Sequence, residues 1–255
     1  MMQVTLVAHY GPKPAELAEH VGVALTAIER SSVGRHFRPY APDQMHGTIV
    51  ALDRAPARAG FDNANRLAAA GVRQPMNFAR ALTLARAFPR LTFRFGGFAL
   101  DDRRIESAGQ TAYERSFQMR PEQGKVIIIG WHHDGEDFAA YRALWAVRRR
   151  FAAQCGIWPK YDNDSDFYMT LGDLIDLPAP GSADRRRLAG AMRALEAAVR
   201  QEFARHPVDV PTAASDLSFV RYSSPALPPT TSRAHPAADP ALTPMRLRQW
   251  YNDRP

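Results

Sequence analysis

Apolar and polar positions recur along the chain with two periods, which divide it into predicted strands and helices. Short apolar or alternating runs predict strands at residues 4–8, 45–52, 91–95, 113–119, 125–131, 167–172 and 217–222. Apolar residues at helical spacing predict helices at 15–30, 77–88, 138–155 and 182–206. This order predicts an α+β fold with two halves, each containing a strand, a helix and a strand that bears polar residues.

The end of the chain has a different pattern. From Pro225 onward prolines are frequent, and no periodicity returns until residues 245–251. Because proline interrupts regular elements, we expect one bilobal domain over residues 1–224. Residues 225–255 are then a proline-rich tail that either lies over the body or is mobile.

Composition excludes several classes of protein. With 45% hydrophobic and 23% charged residues, the chain of 255 residues is typical of a globular protein. Its longest apolar runs are too short to cross a bilayer, so we expect no membrane association. The first ten residues lack the pattern of a secretory signal, and we expect a cytoplasmic protein. A single cysteine, Cys155, excludes an intrachain disulfide bond.

The charge is basic and consists almost entirely of arginine. Lysine and arginine number 33 against 26 aspartate and glutamate, a net charge of +7, and only three of the cations are lysines. Guanidinium groups bind phosphates through two donors, which favours an anionic partner. A GC-rich genome explains the same composition. The runs 148–150 and 185–187 lie on predicted helices, where we interpret them as solvated faces.

The most informative segment is the strand at residues 45–52. His46 and Thr48 stand two residues apart, so both side chains project from one face of the strand. An imidazole beside a hydroxyl places a proton-transfer group next to a donor for a phosphate oxygen. The pattern is short, and a lone histidine of this kind is usually structural.

A second strand repeats this arrangement. In residues 166–172, Tyr168 and Thr170 share a face, and the strand closes in Thr-Leu-Gly. With the order of elements before each motif, including the loop at residues 38–40, the chain resembles the two-histidine (2H) phosphoesterase superfamily over residues 3–222. That superfamily includes RNA 2′,3′-cyclic phosphodiesterases and bacterial 2′-5′ RNA ligases.

The resemblance implies both a fold and a chemistry. It implies two pseudo-symmetric lobes of antiparallel sheet with outer helices around a central cleft. It also implies catalysis without metal or other cofactor, in which one imidazole acts as base, another acts as acid, and threonines hold the phosphate. His46, Thr48 and Thr170 match the motifs, whereas Tyr168 stands where the second histidine is expected.

Three interpretations of Tyr168 remain open. It is a general acid paired with His46, or a phosphate-binding hydroxyl in an enzyme with another proton shuttle, or the mark of a degenerate site that still binds nucleotides. A tyrosine titrates near pH 10, so it is a poor base at neutral pH.

Other residues are candidates for binding the substrate or for replacing the second histidine. Arg115 and Tyr113, on the strand predicted at 113–119, are candidates for contacting a phosphate and a base, as are Arg38 and Tyr40 before the first motif. The histidines that could fill the gap are His9, His132 and His133. Adjacent histidines on an extended chain point in opposite directions, and no third ligand is suitably spaced, so we expect no metal site.

The resemblance implies a metal-independent phosphodiesterase that acts on a 2′,3′-cyclic phosphate or related 2′-linked diester of a nucleotide or RNA end. The alternative is a nucleotide- or RNA-binding module on the same scaffold without turnover.

Overall fold

A computed structural model describes residues 2–56, 60–135 and 137–252. The strands are β1 (Gln3–Ala8), β2 (Phe37–Pro39), β3 (Gly47–Ala51), β4 (Leu91–Phe95), β5 (Glu106–Ser107), β6 (Gln110–Thr111), β7 (Phe117–Arg120), β8 (Lys125–His133), β9 (Phe167–Leu174), β10 (Val208–Thr212), β11 (Leu217–Tyr222) and β12 (Arg233–Pro236). The helices are α1 (Ala15–Glu29), α2 (Ala64–Ala70), α3 (Phe78–Arg86), α4 (Ala112–Ser116), α5 (Ala143–Cys155), α6 (Ala183–Arg205) and α7 (Pro244–Trp250).

One large sheet organises the molecule. Its strands follow the order β10-β4-β8-β9-β3-β1-β11-β12, with β2 also paired to β9 and β7 to β8. Every pairing between these strands is antiparallel. This confirms the predicted α+β class with antiparallel sheet. The two halves of the sheet meet where β3 lies beside β9, at the single pair Gly47 and Met169.

Alternation along the strands assigns each face of the sheet a different role. On β8, Val126 and Ile128 belong to the main core, where helices pack on the sheet, whereas Ile127 and Ile129 point to the other side. Because successive side chains on a strand face opposite ways, one uninterrupted apolar run supplies two separate cores.

The face opposite the main core carries two smaller apolar clusters. The loop cluster packs beside β8 and contains Phe98, Ile105, Ala112, Ile127, Ile129, Trp131 and Phe138, with Tyr113, Tyr141 and Tyr168 against it. The tail cluster packs on β1 and β11 and contains Val7, Val220, Tyr222 and Leu227, with Tyr10 against it. The strands β3 and β9 run between these clusters, so their side chains on this face lie between the loop cluster and the tail cluster.

The strand predicted at residues 113–119 is only half correct. Residues 117–120 form β7, but the preceding residues form the short helix α4. Thr111 and Glu114 make a capping box, in which each side chain accepts a hydrogen bond from the other residue's backbone. Such a box satisfies the free N–H groups of a first helical turn and stabilises it over an extended chain.

The residues after Pro225 pack against the body. β12 extends the sheet beyond β11, and α7 packs against α3 and β1. Leu247, Trp250 and Tyr251 are buried in the main core, and the Tyr251 hydroxyl donates to the carbonyl of Leu52 at 2.5 Å. Of the two expectations for this segment, the structure therefore shows the one in which it lies over the body. Residues 253–255 are outside the described residues.

Candidate functional site

The junction of the two half-sheets depends on a glycine. A Cβ atom at Gly47 would lie 2.3 Å from the Cζ atom of Phe167, so no larger residue fits without displacing that ring. Phe167 is fully buried and stacks on Phe93, with the ring centroids 4.1 Å apart. The central residue of the His-Gly-Thr motif therefore faces the main core and allows β3 to approach β9.

The residues on either side of this junction face away from the main core. His46 and Thr48 flank Gly47, and Tyr168 and Thr170 flank Met169, so alternation directs all four side chains to the opposite face. Each of the four is partly exposed. The pair of Gly47 with Met169 sets the two strands side by side, so the two predicted motifs lie next to each other on one face of the sheet.

Neighbouring contacts agree with this placement. Thr48 lies opposite Val7 of the tail cluster, and the His46 ring contacts Tyr10 of that cluster, with the centroids 6.0 Å apart. Tyr168 packs against the loop cluster. The four side chains therefore occupy the strip between the two clusters.

His46 is held in the form that a general base requires. Its Nδ1 atom lies 2.7 Å from the carbonyl oxygen of Gln44. A carbonyl only accepts, so Nδ1 carries the proton and Nε2 of the neutral ring is an acceptor. Among the described residues Nε2 has no hydrogen-bond partner. Burial lowers the pKa of His46 to about 4, with a further contribution from the nearby charge of Lys13, so the ring is neutral at pH 7.

Tyr168 has the opposite electrostatic character. Burial raises the pKa of its hydroxyl above the ordinary value near 10, although Arg120 and a hydrogen bond with Thr170 lower it in part. The Arg120 guanidinium lies over the ring, 5.6 Å from its centroid. The hydroxyl is therefore protonated at neutral pH and available as a donor.

Three cationic residues lie near these side chains. The sequence interpretation did not include them among the candidates. Arg120 of β7 lies over the Tyr168 ring, and Lys13 lies beside His46 after the turn that follows β1. Lys125 of β8 pairs with Asp173 at 2.5 Å and has a weaker influence on Tyr168. Burial lowers the pKa of Lys13 to about 8. A usable signal for Arg120 and Lys125 was their position between the strands predicted at 113–119 and 125–131, before the second motif. Lys13 had no such signal.

Arg38 and Tyr40 lie where β2 pairs with the end of β9. Arg38 pairs with Asp173 at 2.9 Å and stays exposed, whereas Tyr40 is buried. The Tyr40 hydroxyl donates to Asp173 at 3.0 Å and accepts from Lys125 at 2.6 Å. Because Asp173 is three residues beyond Thr170, both residues border the group on that side.

Arg115 differs from the sequence interpretation, which made it a phosphate contact on a strand. It lies in α4, is 5% exposed, and forms an ion pair with Asp166. The Asp166 carboxylate also accepts hydrogen bonds from Trp131 and Ser107, at 2.9 and 2.7 Å. The charge of Arg115 is balanced by this carboxylate inside the protein, so Arg115 is withdrawn as a candidate phosphate contact. Tyr113 on the same helix is partly buried and packs against the loop cluster with Tyr168.

The other histidines do not join this group. The Nε2 atom of His9 lies 2.9 Å from the Thr212 hydroxyl, and its ring contacts Phe167 on the core side. His132 and His133 pair with β4, away from β9. The Nδ1 atom of His132 lies 3.1 Å from the carbonyl oxygen of Thr92, and that of His133 lies 2.5 Å from the carbonyl oxygen of Gly135.

The expectation that residues 148–150 form a solvated face is wrong for the first of them. Arg149 and Arg150 are exposed, but Arg148 is 5% exposed and bonded to backbone carbonyls on both sides of the junction. Helical periodicity turns residue 148 inward together with Leu144 and Phe151, which are fully buried.

The described part of the chain contains neither a helix suited to cross a membrane nor a cluster of metal-binding side chains. None of its helices combines the length and apolar character needed to cross a membrane. Its histidine, cysteine, aspartate and glutamate residues form no group of three or more that could hold a metal ion.

Comparison with known proteins gave matches in structure only. No protein-family model and no curated protein matches the chain. A solved structure described as a phosphoesterase matches with a TM-score of 0.41 and 14% identity, covering 92% of this chain and 95% of that one. The structure of LigT from E. coli complexed with NADP+ matches with a TM-score of 0.37 and 15% identity, covering 92% and 94%.

Proposed function

We propose that the protein is a metal-independent phosphodiesterase that hydrolyses a 2′,3′-cyclic phosphate or a related 2′-linked diester of a nucleotide or RNA end. The proposal is supported by an acceptor nitrogen on His46 and a donor hydroxyl on Tyr168, which flank the one residue pair that joins β3 to β9 in the described residues. Both lie on one sheet face, beside the hydroxyls of Thr48 and Thr170.

The proposed reaction needs one proton acceptor and one proton donor. His46 takes a proton from water at Nε2 as the water oxygen bonds to phosphorus. The bond from phosphorus to one ribose oxygen breaks, and Tyr168 gives that oxygen its proton. The product is a phosphate monoester. Return of the proton from the imidazolium to the tyrosinate, directly or through water, restores the starting state.

The hydroxyl and cationic groups have a separate role in the proposal. Thr48 and Thr170 donate to the non-bridging phosphate oxygens, whose charge increases in the transition state. Arg120 and Lys13 add positive potential at the same place, whereas Lys125 is paired with Asp173. The pKa values of the two proton-transfer residues are displaced in opposite directions, as is common where one group acts as base and its neighbour as acid.

A second candidate function is binding of a nucleotide or RNA end without turnover. It is favoured by Tyr168 itself, because a hydroxyl whose pKa is raised above 10 donates a proton more slowly than an imidazolium does. Such a module keeps the threonine and cationic contacts.

The test is hydrolysis of 2′,3′-cyclic nucleotides in the presence of EDTA. We expect turnover by the wild type and a loss of about 10²- to 10⁴-fold in His46→Ala, the usual effect of removing a general base. His9→Gln, which changes a histidine outside the group, is the control. Nucleotide binding without turnover of any cyclic or 2′-5′ substrate would establish the binding module, and absence of both would contradict either function.

A further inference from the structure

Helix α5 places a charged side chain beneath the junction of the two half-sheets. Arg148 donates from Nη2 to the carbonyl oxygen of Thr48 at 2.8 Å, and from Nε to that of Ile49 at 3.0 Å. Both acceptors belong to β3, the strand that carries the first motif.

The same guanidinium is bonded to the chain that leads into β9. Its Nη1 donates to the carbonyl oxygen of Asp164 at 2.8 Å, and its Nη2 to that of Asp166 at 3.2 Å. The carboxylate of Asp164 pairs with it at 3.1 Å. Asp166 is two residues before Tyr168, so one side chain holds the backbones of both motifs.

Few other backbone contacts hold these two strands together. In the described residues β3 and β9 share one ladder pair, whereas β8 and β9 are paired from Lys125 to Gly130. The relative position of the two motifs therefore depends on that pair and on Arg148. The planar guanidinium, with five N–H donors in a fixed arrangement, can serve four carbonyls at once, and an ammonium cannot.

We infer that Arg148 is a positioning residue, which sets the separation between His46 and Thr48 on one strand and Tyr168 and Thr170 on the other so that one phosphate contacts both. The inference rests on the proposed function. A reacting group displaced by about 1 Å costs on the order of 10²-fold in rate, so this contact has a measurable effect on turnover.

The test compares Arg148→Lys with Arg149→Lys, the same substitution at the exposed neighbour. We expect kcat for a 2′,3′-cyclic nucleotide to fall by about 10- to 100-fold in Arg148→Lys. KM should rise by a smaller factor than kcat falls, since each half still binds a phosphate oxygen although the two no longer bind it together. Arg149→Lys should match the wild type. A folded Arg148→Lys protein with unchanged kcat would overturn the inference, as would a loss explained by the unfolded fraction alone.

A second measurement does not depend on turnover. In nuclear magnetic resonance titrations with inorganic phosphate, the wild-type signals of His46 and Tyr168 should shift with one common dissociation constant. In Arg148→Lys the two signals should titrate separately. If the wild type shows this common titration but no hydrolysis, the proposed enzyme fails while the positioning role stands. Common titration in Arg148→Lys would overturn the positioning role.

Should Arg148→Lys not fold, both measurements apply to Arg148→Gln, which keeps amide donors without the charge. Failure of both variants to fold, with Arg149→Lys folded, would assign Arg148 to stability and overturn the inference.

Discussion

The two strands that meet at the junction carry the same pattern with different proton-transfer groups. On β3, burial and Lys13 hold His46 neutral and its Nδ1–H is occupied by Gln44, which leaves an acceptor. On β9, burial holds Tyr168 protonated, which leaves a donor. Burial disfavours the charged form of each group, so the imidazole is an acceptor and the phenol a donor, as the proposed base and acid require. A two-histidine site would need its imidazoles in different protonation states, whereas here the residue types assign the roles.

The largest change in turnover is expected when only the Tyr168 hydroxyl is removed. In Tyr168→Phe we expect a loss of about 10²- to 10⁴-fold in kcat for a cyclic nucleotide, because the ribose oxygen leaves without a proton. With a nitrophenyl phosphodiester the loss should nearly disappear, because nitrophenolate leaves unprotonated. Rates for both substrates check this.

Thr170→Val is the matched control for Tyr168→Phe. A residue that contacts a phosphate oxygen should show a similar defect with either leaving group. If Tyr168→Phe behaves in the same way, the tyrosine is a phosphate contact and its role as acid is wrong.

The pH dependence of kcat/KM tests both groups together. The base must be neutral, so kcat/KM should rise through a pKa near 4, that of His46 in the free protein. The acid must be protonated, so the decline should begin only above pH 10. Between these limits we expect only a shallow decline near pH 8, where Lys13 loses the charge that it contributes to phosphate binding.

In Tyr168→His the pH profile of kcat/KM should become bell-shaped. The new acid has an ordinary pKa near 6.5, so the falling limb moves toward neutral pH. A wild-type profile that is already bell-shaped around neutrality would point to a proton shuttle other than Tyr168.

Filling the junction should disturb both strands at once. Gly47→Ala places a methyl group 2.3 Å from the Phe167 ring, and overpacking of this kind costs roughly 1–3 kcal/mol. Urea denaturation measures the loss. Gly22→Ala, on helix α1 at a partly exposed position with nothing within 4 Å, is the control and should be neutral or slightly stabilising. Equal stability of the two variants would mean that the strands are not held this closely.

The smallest expected effect is on the pH dependence of folding stability, and it concerns His20, a histidine outside the proposed site. Burial lowers the pKa of His20 to about 4, as for His46, but His20 stacks on Phe203 inside the main core. Above pH 6.5 both folded and unfolded states are neutral. As pH falls toward 4, only the unfolded state gains the proton, so the folded state loses roughly 3 kcal/mol at most.

His20→Phe should remove this acid sensitivity and leave kcat unchanged. Urea denaturation at pH 7 and pH 4.5 measures the difference, with kcat determined at pH 7. An unchanged pH dependence of stability would show that the folded state accommodates the charge at His20.

The strands and the two motifs follow from local pattern, and the sequence predicts them. Residues 45–52 and 167–172 are extended because apolar residues alternate with polar ones, and alternation also fixes which side chains share a face. It predicts that His46 accompanies Thr48 and that Tyr168 accompanies Thr170. The sequence also carries a signal for α4, the Thr-x-x-Glu pattern of its capping box, which prevails over the alternation that suggests a strand.

Only the tertiary structure decided which arginines are buried and which are exposed. Arg115 and Arg148 are charged residues that pattern assigns to solvent or to ligand, yet both are buried. A buried guanidinium is tolerated only where acceptors surround it, and its acceptors come from distant parts of the chain. Asp166 accepts from Arg115, and carbonyls at residues 48, 49, 164 and 166 accept from Arg148. The sequence by itself determined which side chains share a face in each motif, whereas packing across the sheet decided that the two motifs lie on adjacent strands and which guanidinium groups are buried among acceptors.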